Sequence, residues 1–151
     1  WFLWAFFYVF QIQGVKVGLL RLILNVAWLV CGGVLMSLMW VFVGILACIS
    51  IVGIPFARSC FVIARLALWP FGHDIENREY LTRRQDIGTG PLGVVGNIIW
   101  FVLFGFWLSL GHLIHAVACF ITIIGIPFGI VHLKLAMLSF APIGQTVVPV
   151  R

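Results

Sequence analysis

Charged side chains are scarce in this sequence. They make up 9% of its 151 residues, with nine lysines and arginines against four aspartates and glutamates, whereas 64% of the residues are hydrophobic. A soluble domain carries about 25% charged and about 45–50% apolar residues, so the composition argues against a soluble globular protein. It predicts an integral membrane protein whose apolar surface mostly faces lipid.

The few acidic residues are confined to one segment. All four lie within 73–90, which also contains three arginines, and the long apolar runs contain no carboxylate. Intramembrane Asp and Glu often form the ion or proton pathways of pumps and transporters, so their absence argues against proton or sodium coupling. Because short basic loops stay on the cytoplasmic side, we predict that 73–90 is a water-exposed, cytoplasmic loop.

Catalytic and metal-binding patterns are also missing. The four cysteines stand singly in apolar runs, without Cys-x-x-Cys and without a Cys/His pair at metal-ligand spacing. No serine has a recognisable histidine and acid around it, and the aromatic residues lie among aliphatic ones rather than on the basic solvated face that nucleic acid requires. The sequence predicts a protein that is not an enzyme, with no metal, no cofactor and no nucleic-acid partner.

What the sequence does contain is an internal repeat. Residues 25–72 align without a gap on residues 97–144, a constant offset of 72 (97 − 25). The matches include asparagine, tryptophan, glycine and proline, which chance similarity between apolar segments would not give, so we interpret the pattern as a duplication. The clearest matches are Asn25 with Asn97, Trp28 with Trp100, Gly33 with Gly105, and Gly53-Ile54-Pro55-Phe56 with Gly125-Ile126-Pro127-Phe128.

Each repeat is predicted to have three parts. The first is an apolar run, 22–52 or 92–124, which as one helix would be about 45 Å long and must tilt, break or turn within a hydrocarbon core of about 30 Å. A Gly-Ile-Pro break follows, because proline can begin a new helix but interrupts a continuing one. The third part is a short helix, 56–69 or 128–141. We therefore predict an all-α integral membrane fold: a tandem repeat of two helical units, each with a long membrane helix, a break and a short second helix.

This fold divides the chain into five segments. They are an aromatic N-terminal segment 1–18, membrane repeat 19–72, polar loop 73–90, membrane repeat 91–144 and tail 145–151. The first segment is predicted to be an interfacial anchor or the end of a truncated membrane helix, since the sequence begins at Trp1 without a methionine. Each repeat could form a hairpin or cross the membrane once, and hairpins are favoured because they place most basic residues on one side.

Three basic residues lie within the apolar helices. Arg58 and Arg65 are seven apart, nearly on one helix face, and Lys134 lies in the equivalent helix of the second repeat. Charges inside membrane segments are commonly functional, so we predict that these residues bind anionic lipid or another anion. Two alternatives stay open: they snorkel to the headgroups with their stems in lipid, or they line a path for anions.

Other polar and small residues in the helices are expected to serve packing. Asn25 and Asn97 can hydrogen-bond across helices, and Gly33 and Gly105 permit close helix approach. Gly53, Pro55, Gly125 and Pro127 are predicted to be structural helix breaks. The pair His112 and His115 shares a helix face, but no acid accompanies it in these helices, so a structural or interfacial role is favoured over metal binding.

The stretches "ARSC" followed by "ARLALWPFG", and "ITIIGIPFGIVHLKLAMLSFAPIGQTVV", resemble the YccF family, also called the inner membrane component domain. The resemblance covers about residues 20–148 and implies a small tandem-repeat protein of a bacterial-type inner membrane or an organelle membrane. It implies no particular biochemical activity. The family-like positions with functional side chains are Asn25, Arg58, Ser59, Cys60, Arg65, Asn97, His112 and Lys134.

Two classes of function agree with these observations. The first is a structural or accessory membrane component that packs with other membrane subunits or with copies of itself and binds anionic lipid. The alternative is a small oligomeric channel or transporter, possibly for anions, in which the two helix breaks frame a site near the middle of the membrane.

Overall fold

The structure is a computed structural model that describes residues 14–50 and 53–150. Its elements are α1 (Gly14–Trp28), a π-helical turn (Leu29–Gly33), α2 (Val34–Ile49), α3 (Ile54–Leu68), β1 (His73–Asn77), α4 (Arg78–Thr82), α5 (Pro91–Trp100), a second π-helical turn (Phe101–Gly105), α6 (Phe106–Phe120), α7 (Ile126–Phe140) and β2 (Gln145–Pro149). The predictions for the first thirteen residues lie outside the described part of the chain.

The two long apolar runs are helical and bent. Within the described residues, two continuous stretches are long and apolar enough to cross a membrane, Gly18–Ile49 with 32 residues and Pro91–Phe120 with 30. Each contains a π-helical turn, and in the first turn the backbone leaves helical geometry at Gly32, where φ is 126°. Side chains with a Cβ rarely adopt such a φ, so this glycine permits a kink that divides the long helix into α1 and α2.

The helices of each repeat form an antiparallel hairpin. Ser37 Oγ on α2 donates a hydrogen bond to the Ala64 carbonyl oxygen on α3, at 2.9 Å. Farther along α2, Gly44 packs against Cys60, so residue numbers rise on one helix as they fall on the other. The second repeat has the equivalent bond from Ser109 to the Ala136 carbonyl, at 2.7 Å.

A set of polar bonds, here called the Asn–Trp clamp, joins the start of each hairpin to the end of its short helix. In the first repeat the Asn25 side chain donates to the Phe71 carbonyl and accepts from the Phe71 amide, at 2.9 and 3.0 Å. Trp28 Nε1 donates to the Ala67 carbonyl at 2.7 Å. The equivalent bonds of the second repeat are Asn97 to both backbone groups of Ile143, and Trp100 to the Ser139 carbonyl.

The all-α prediction is incomplete, because the chain also forms a small sheet. Strands β1 and β2 pair antiparallel, with Ile75 opposite Val147. These two residues occupy equivalent positions of the two repeats (75 + 72 = 147), so the strand register is symmetric about their pair. The segments predicted as the polar loop 73–90 and the tail 145–151 therefore join the two repeats on the side where the acidic residues lie.

Aromatic side chains fill the space between the hairpins. Trp28 of the first clamp packs on Phe128 of the second repeat, with ring centroids 6.0 Å apart, and Trp100 packs on Phe56 at 5.7 Å. Each phenylalanine belongs to a Gly-Ile-Pro-Phe motif, so the break in one repeat supplies packing for the other. Among the described residues, the largest fully buried aliphatic side chains are Ile63, Leu66, Leu135 and Leu138.

The outer faces of the hairpins are apolar and exposed. Val30 is 83% exposed and Ile123, in the turn before α7, is 87% exposed. Continuous exposed apolar surface of this extent is typical of a protein that contacts lipid or other membrane proteins.

Replacing Asn25 by leucine tests the importance of the clamp. Asn25→Leu keeps the approximate volume but loses two hydrogen bonds at a site that is 1% exposed, so we expect the free energy of unfolding to fall by about 1–3 kcal/mol. Asn97→Leu should cost less because Asn97 is only half-buried. Thermal unfolding in detergent, followed by tryptophan fluorescence, measures both, with the exposed Val26→Leu as control. Equal melting temperatures for Asn25→Leu and Val26→Leu would contradict a clamp that stabilises the fold.

Candidate functional site

The two Gly-Ile-Pro breaks form tight turns between the helices of each hairpin. Pro55 and Pro127 lie in the first turns of α3 and α7, where a missing amide hydrogen costs nothing. A Cβ at Gly53 would lie 2.8 Å from the Ala47 carbonyl oxygen, and one at Gly125 would overlap the Cys119 carbonyl oxygen. The structure thus places these four residues at the turns between helices.

Gly33 and Gly105 lie against the clamp tryptophans. A Cβ at Gly33 would overlap the Trp28 indole, and one at Gly105 would lie 2.9 Å from Trp100 Cδ1 and 3.0 Å from the Ser139 carbonyl oxygen. These glycines therefore make room for the tryptophan of their own repeat. Gly105 also allows the bent helix of the second repeat to approach the end of α7.

Arg58 and Arg65 line one groove on the surface of the first repeat. Its volume is about 410 Å³, and its wall is mostly apolar; the other lining residues are Cys48, Ala57, Phe61, Val62, Thr146 and Val147. The groove, here called the α3 groove, extends from strand β2 to the last turn of α2. Both arginines are exposed, so the structure brings together two of the three predicted anion-binding residues.

Lys134, the third predicted anion-binding residue, lies outside this groove. Its Nζ donates to the His73 carbonyl oxygen at 2.9 Å and lies 3.3 Å from Asp74 Oδ1. The Lys134 side chain is only 18% exposed. It therefore connects α7 of the second repeat to β1, next to the end of the first repeat.

His73 lies among positive charges at that junction. Burial lowers the pKa of His73, and the charges of Arg65, Lys134 and Arg21 lower it further. Arg21 was not among the site residues predicted from the sequence. The signal that could have identified it is its position one helical turn before Asn25, which binds the neighbouring Phe71.

Three histidines meet inside the second hairpin. His112 Nδ1 lies 3.2 Å from His132 Nδ1, so one ring donates a hydrogen bond and the other accepts it. The His115 ring stacks on His132 with centroids 5.3 Å apart, and His115 Nδ1 lies 2.7 Å from the Gly111 carbonyl oxygen. Sequence analysis paired His112 with His115 on one helix face; the structure adds His132 of α7 to them. Among residues 14–50 and 53–150, no group of three or more histidine, cysteine or acidic side chains is arranged to hold a metal ion.

An ion pair orders the polar loop. Arg78 binds Asp86 through two hydrogen bonds of 2.8 and 2.9 Å, and its guanidinium also donates to the Gln145 carbonyl oxygen at 3.3 Å. The bonds from Arg78 hold the pKa of Asp86 well below its usual range. The loop is thereby fastened to the start of β2, so it supports the sheet that joins the repeats.

The structure consists of two apolar hairpins, related by duplication and joined by a two-stranded sheet. This architecture defines a tandem-repeat protein of the membrane-component class. The chain belongs to the YccF family: the family model described as inner membrane component domain matches it twice, over residues 23–73 and 95–145. These spans coincide with the two repeats, so the resemblance seen in the sequence is confirmed.

Named relatives agree with this assignment. The inner membrane protein YccF of Escherichia coli (strain K12) is 36% identical over 135 residues, which cover 87% of this chain and 90% of the relative. The inner membrane protein YccF of Shigella flexneri matches with the same identity and coverage. No solved structure matches the chain.

Substitution of Gly125 tests the tight turn at the second break. Gly125→Ala places a methyl group against the Cys119 carbonyl oxygen, and we expect overpacking to lower the free energy of unfolding by about 1–3 kcal/mol. Gly111→Ala is the matched control, because its Cβ meets no atom within 4 Å and alanine favours a helix over glycine by about 1 kcal/mol. Thermal unfolding should therefore shift in opposite directions. A Gly125→Ala protein at least as stable as the Gly111→Ala protein would contradict the turn geometry.

Proposed function

We propose that this protein is a non-enzymatic, multi-pass accessory component of its membrane, which holds anionic lipid in the α3 groove and packs with other membrane subunits or with itself. The observation that carries the proposal is the composition of the groove, in which two exposed arginines stand on an apolar wall. Such a surface matches an amphiphile with a negative headgroup and a hydrocarbon tail.

The arginines of the groove have no carboxylate to neutralise them. Within the described residues the ion pairs are Arg78–Asp86 and Lys134–Asp74, and neither involves Arg58 or Arg65. A charge beside apolar surface is poorly solvated, and the low dielectric strengthens its attraction to a nearby anion. An anionic phospholipid supplies that charge while its chains cover Phe61 and Val62.

The positions of the charges support an orientation in the membrane. All the acidic residues and the arginines of the loop 73–90 lie on the side of the sheet, which we place toward the cytoplasm. Arg58 is near the opposite end of α3, and helical side chains lean toward the helix N-terminus. We therefore propose that Arg58 reaches the headgroups of the other leaflet and that Arg65 reaches those of the cytoplasmic leaflet.

A small oligomeric anion channel is the second candidate. It is favoured by the location of the α3 groove on the outer surface of the protein, where Arg58 and Arg65 are both accessible. Two copies that face each other across their grooves would enclose a path lined by four arginines.

Native mass spectrometry of the gently extracted protein tests the first proposal. We expect anionic phospholipid to remain bound to the wild type and to be retained about fivefold less by Arg58→Leu or Arg65→Leu, since a basic residue near an anionic membrane surface contributes about 1 kcal/mol. Arg84→Leu removes the same charge from an exposed position of the loop and should retain lipid like the wild type.

Native mass spectrometry, together with a flux assay, distinguishes lipid binding, channel activity and an accessory role. Equal lipid retention by all three variants would contradict lipid binding in the α3 groove. A homo-oligomer of fixed stoichiometry, together with an anion flux into vesicles that Arg58→Leu abolishes, would favour the channel. Co-purification with other membrane proteins would support the accessory role.

A further inference from the structure

Four basic side chains from four different elements meet where the two repeats join. They are Arg21 of α1, Arg65 of α3, His73 of β1 and Lys134 of α7, here called the basic cluster. Lys134 Nζ binds the His73 carbonyl oxygen at 2.9 Å, and the charges of Arg65, Lys134 and Arg21 all act on the His73 ring. Arg21 Cδ lies 3.4 Å from where a Cβ on Gly72 would be. The cluster thus brings both repeats together at the polar end of the hairpins.

The charges of the basic cluster are only partly balanced. The one carboxylate in contact with it within the described chain is Asp74, which pairs with Lys134 and is 51% exposed. Arg21 Nε is shielded from solvent and has no hydrogen-bond partner among the described residues. Polar atoms in such positions nearly always have a partner, so the cluster combines surplus positive charge with unused hydrogen-bonding capacity.

Comparison of the two repeats shows that the basic cluster is not needed to build a hairpin. With the offset of 72, the positions equivalent to Arg21, Arg65 and His73 are Gly93, Met137 and Gln145, and the position equivalent to Lys134 is Val62. None of these four is basic, whereas each repeat has the asparagine and the tryptophan of the clamp. The second hairpin thus forms without counterparts of Arg21, Arg65 and His73, and the first without a counterpart of Lys134, which points to a ligand rather than to the scaffold.

We infer that the basic cluster binds a phosphate group. The planar guanidinium of Arg21 or Arg65 can donate two parallel hydrogen bonds to phosphate oxygens, and the ammonium of Lys134 adds a point charge. The phosphate can belong to the headgroup of a lipid whose chains lie in the α3 groove, since Arg65 borders both sites, or it can be a free ion. For the lipid source, the inference rests on the function proposed above.

Phosphate binding should be linked to protonation of His73. Its pKa is lowered by burial and by the neighbouring cations, and a bound anion offsets those cations, so the ring takes up a proton on binding. For an anion whose own charge is constant, such as the phosphodiester of a phospholipid, affinity should therefore rise as the pH falls through the range near and below the ordinary histidine pKa of about 6.5. The charged groups that face His73 are Arg21, Arg65, Lys134 and Asp74, and none is a histidine, the side chain that ordinarily titrates in this range.

The experiment compares two probes on the full chain, purified in a maltoside detergent that contains no phosphate. One probe is inorganic phosphate, measured by isothermal titration calorimetry; the other is phosphatidylglycerol, measured by native mass spectrometry. We expect Arg21→Gln to bind the relevant probe about tenfold more weakly, the effect of losing a charge-assisted hydrogen bond. Arg21→Lys should lie between Arg21→Gln and the wild type, and Arg84→Gln, at an exposed loop position, should match the wild type.

His73→Gln tests the link to pH. It introduces the residue that the second repeat has at the equivalent position, Gln145. Inorganic phosphate itself loses a proton in this range, so both proteins are compared at each pH, and the ratio of wild-type to His73→Gln affinity should rise as the pH falls from about 7.5 to about 5.5. A ratio that does not change over that range would overturn the proton link. Melting temperatures of all variants show whether each protein is folded before its affinity is compared.

These results together show whether the phosphate comes from a lipid or from a free ion. They also test the lipid groove and the phosphate site separately. Binding of phosphatidylglycerol but not of inorganic phosphate, lost with Arg21→Gln, identifies a lipid headgroup; the reverse identifies a free ion. If Arg58→Leu reduces lipid retention but Arg21→Gln changes neither probe, the α3 groove stands and the phosphate site is overturned. If Arg21→Gln weakens binding of inorganic phosphate and Arg58→Leu leaves lipid retention unchanged, the phosphate site stands without the lipid groove.

Discussion

The bond from a tryptophan indole to the end of a short helix is the interaction on which the rest of this structure depends. The last carbonyl groups of any helix lack partners within the helix, and in lipid no water can replace them. Trp28 donates to the Ala67 carbonyl near the end of α3, and Asn25 holds both backbone groups of Phe71 just beyond it. The chain can then leave the helix at the polar surface and enter β1. The same arrangement recurs at Trp100 and Asn97.

The duplication then fixes how the two hairpins fit together. Each clamp tryptophan contacts the phenylalanine that follows the other repeat's Gly-Ile-Pro break, and the strands pair in a register symmetric about Ile75 and Val147. The scaffold residues are thus shared by both repeats, while the clustered histidine and basic side chains are not. His112 and His132 have Trp40 and Cys60 at their equivalent positions. The residues of the basic cluster likewise have no basic counterpart in the other repeat. Departure from the repeat marks the places where function is to be sought.

The periodic and repeated features could be predicted from sequence, and the long-range ones could not. The short helices begin and end within two residues of their predicted bounds, because proline and glycine act locally on the backbone. The sheet was missed because its strands are only five residues long, lie far apart in the chain and show no regular alternation of apolar and polar residues. The contact between His112 and His132 depends on which faces of α6 and α7 meet, which residue spacing alone does not determine. The ion pair of Lys134 with Asp74 likewise joins segments whose proximity only the folded sheet creates.

The length of the short helices gives the arginines of the proposed groove different environments. A helix of 15 residues such as α3 is about 22 Å long, less than the roughly 30 Å of a hydrocarbon core. Arg58 and Arg65 are separated by about 10 Å along this helix, so they lie at different depths of the membrane. A short span of this kind is accommodated by local thinning of the bilayer or by long side chains that reach the headgroups. We propose that Arg58, at the far end of the helix, reaches the headgroups in this way and that Arg65 shares an anion with the basic cluster.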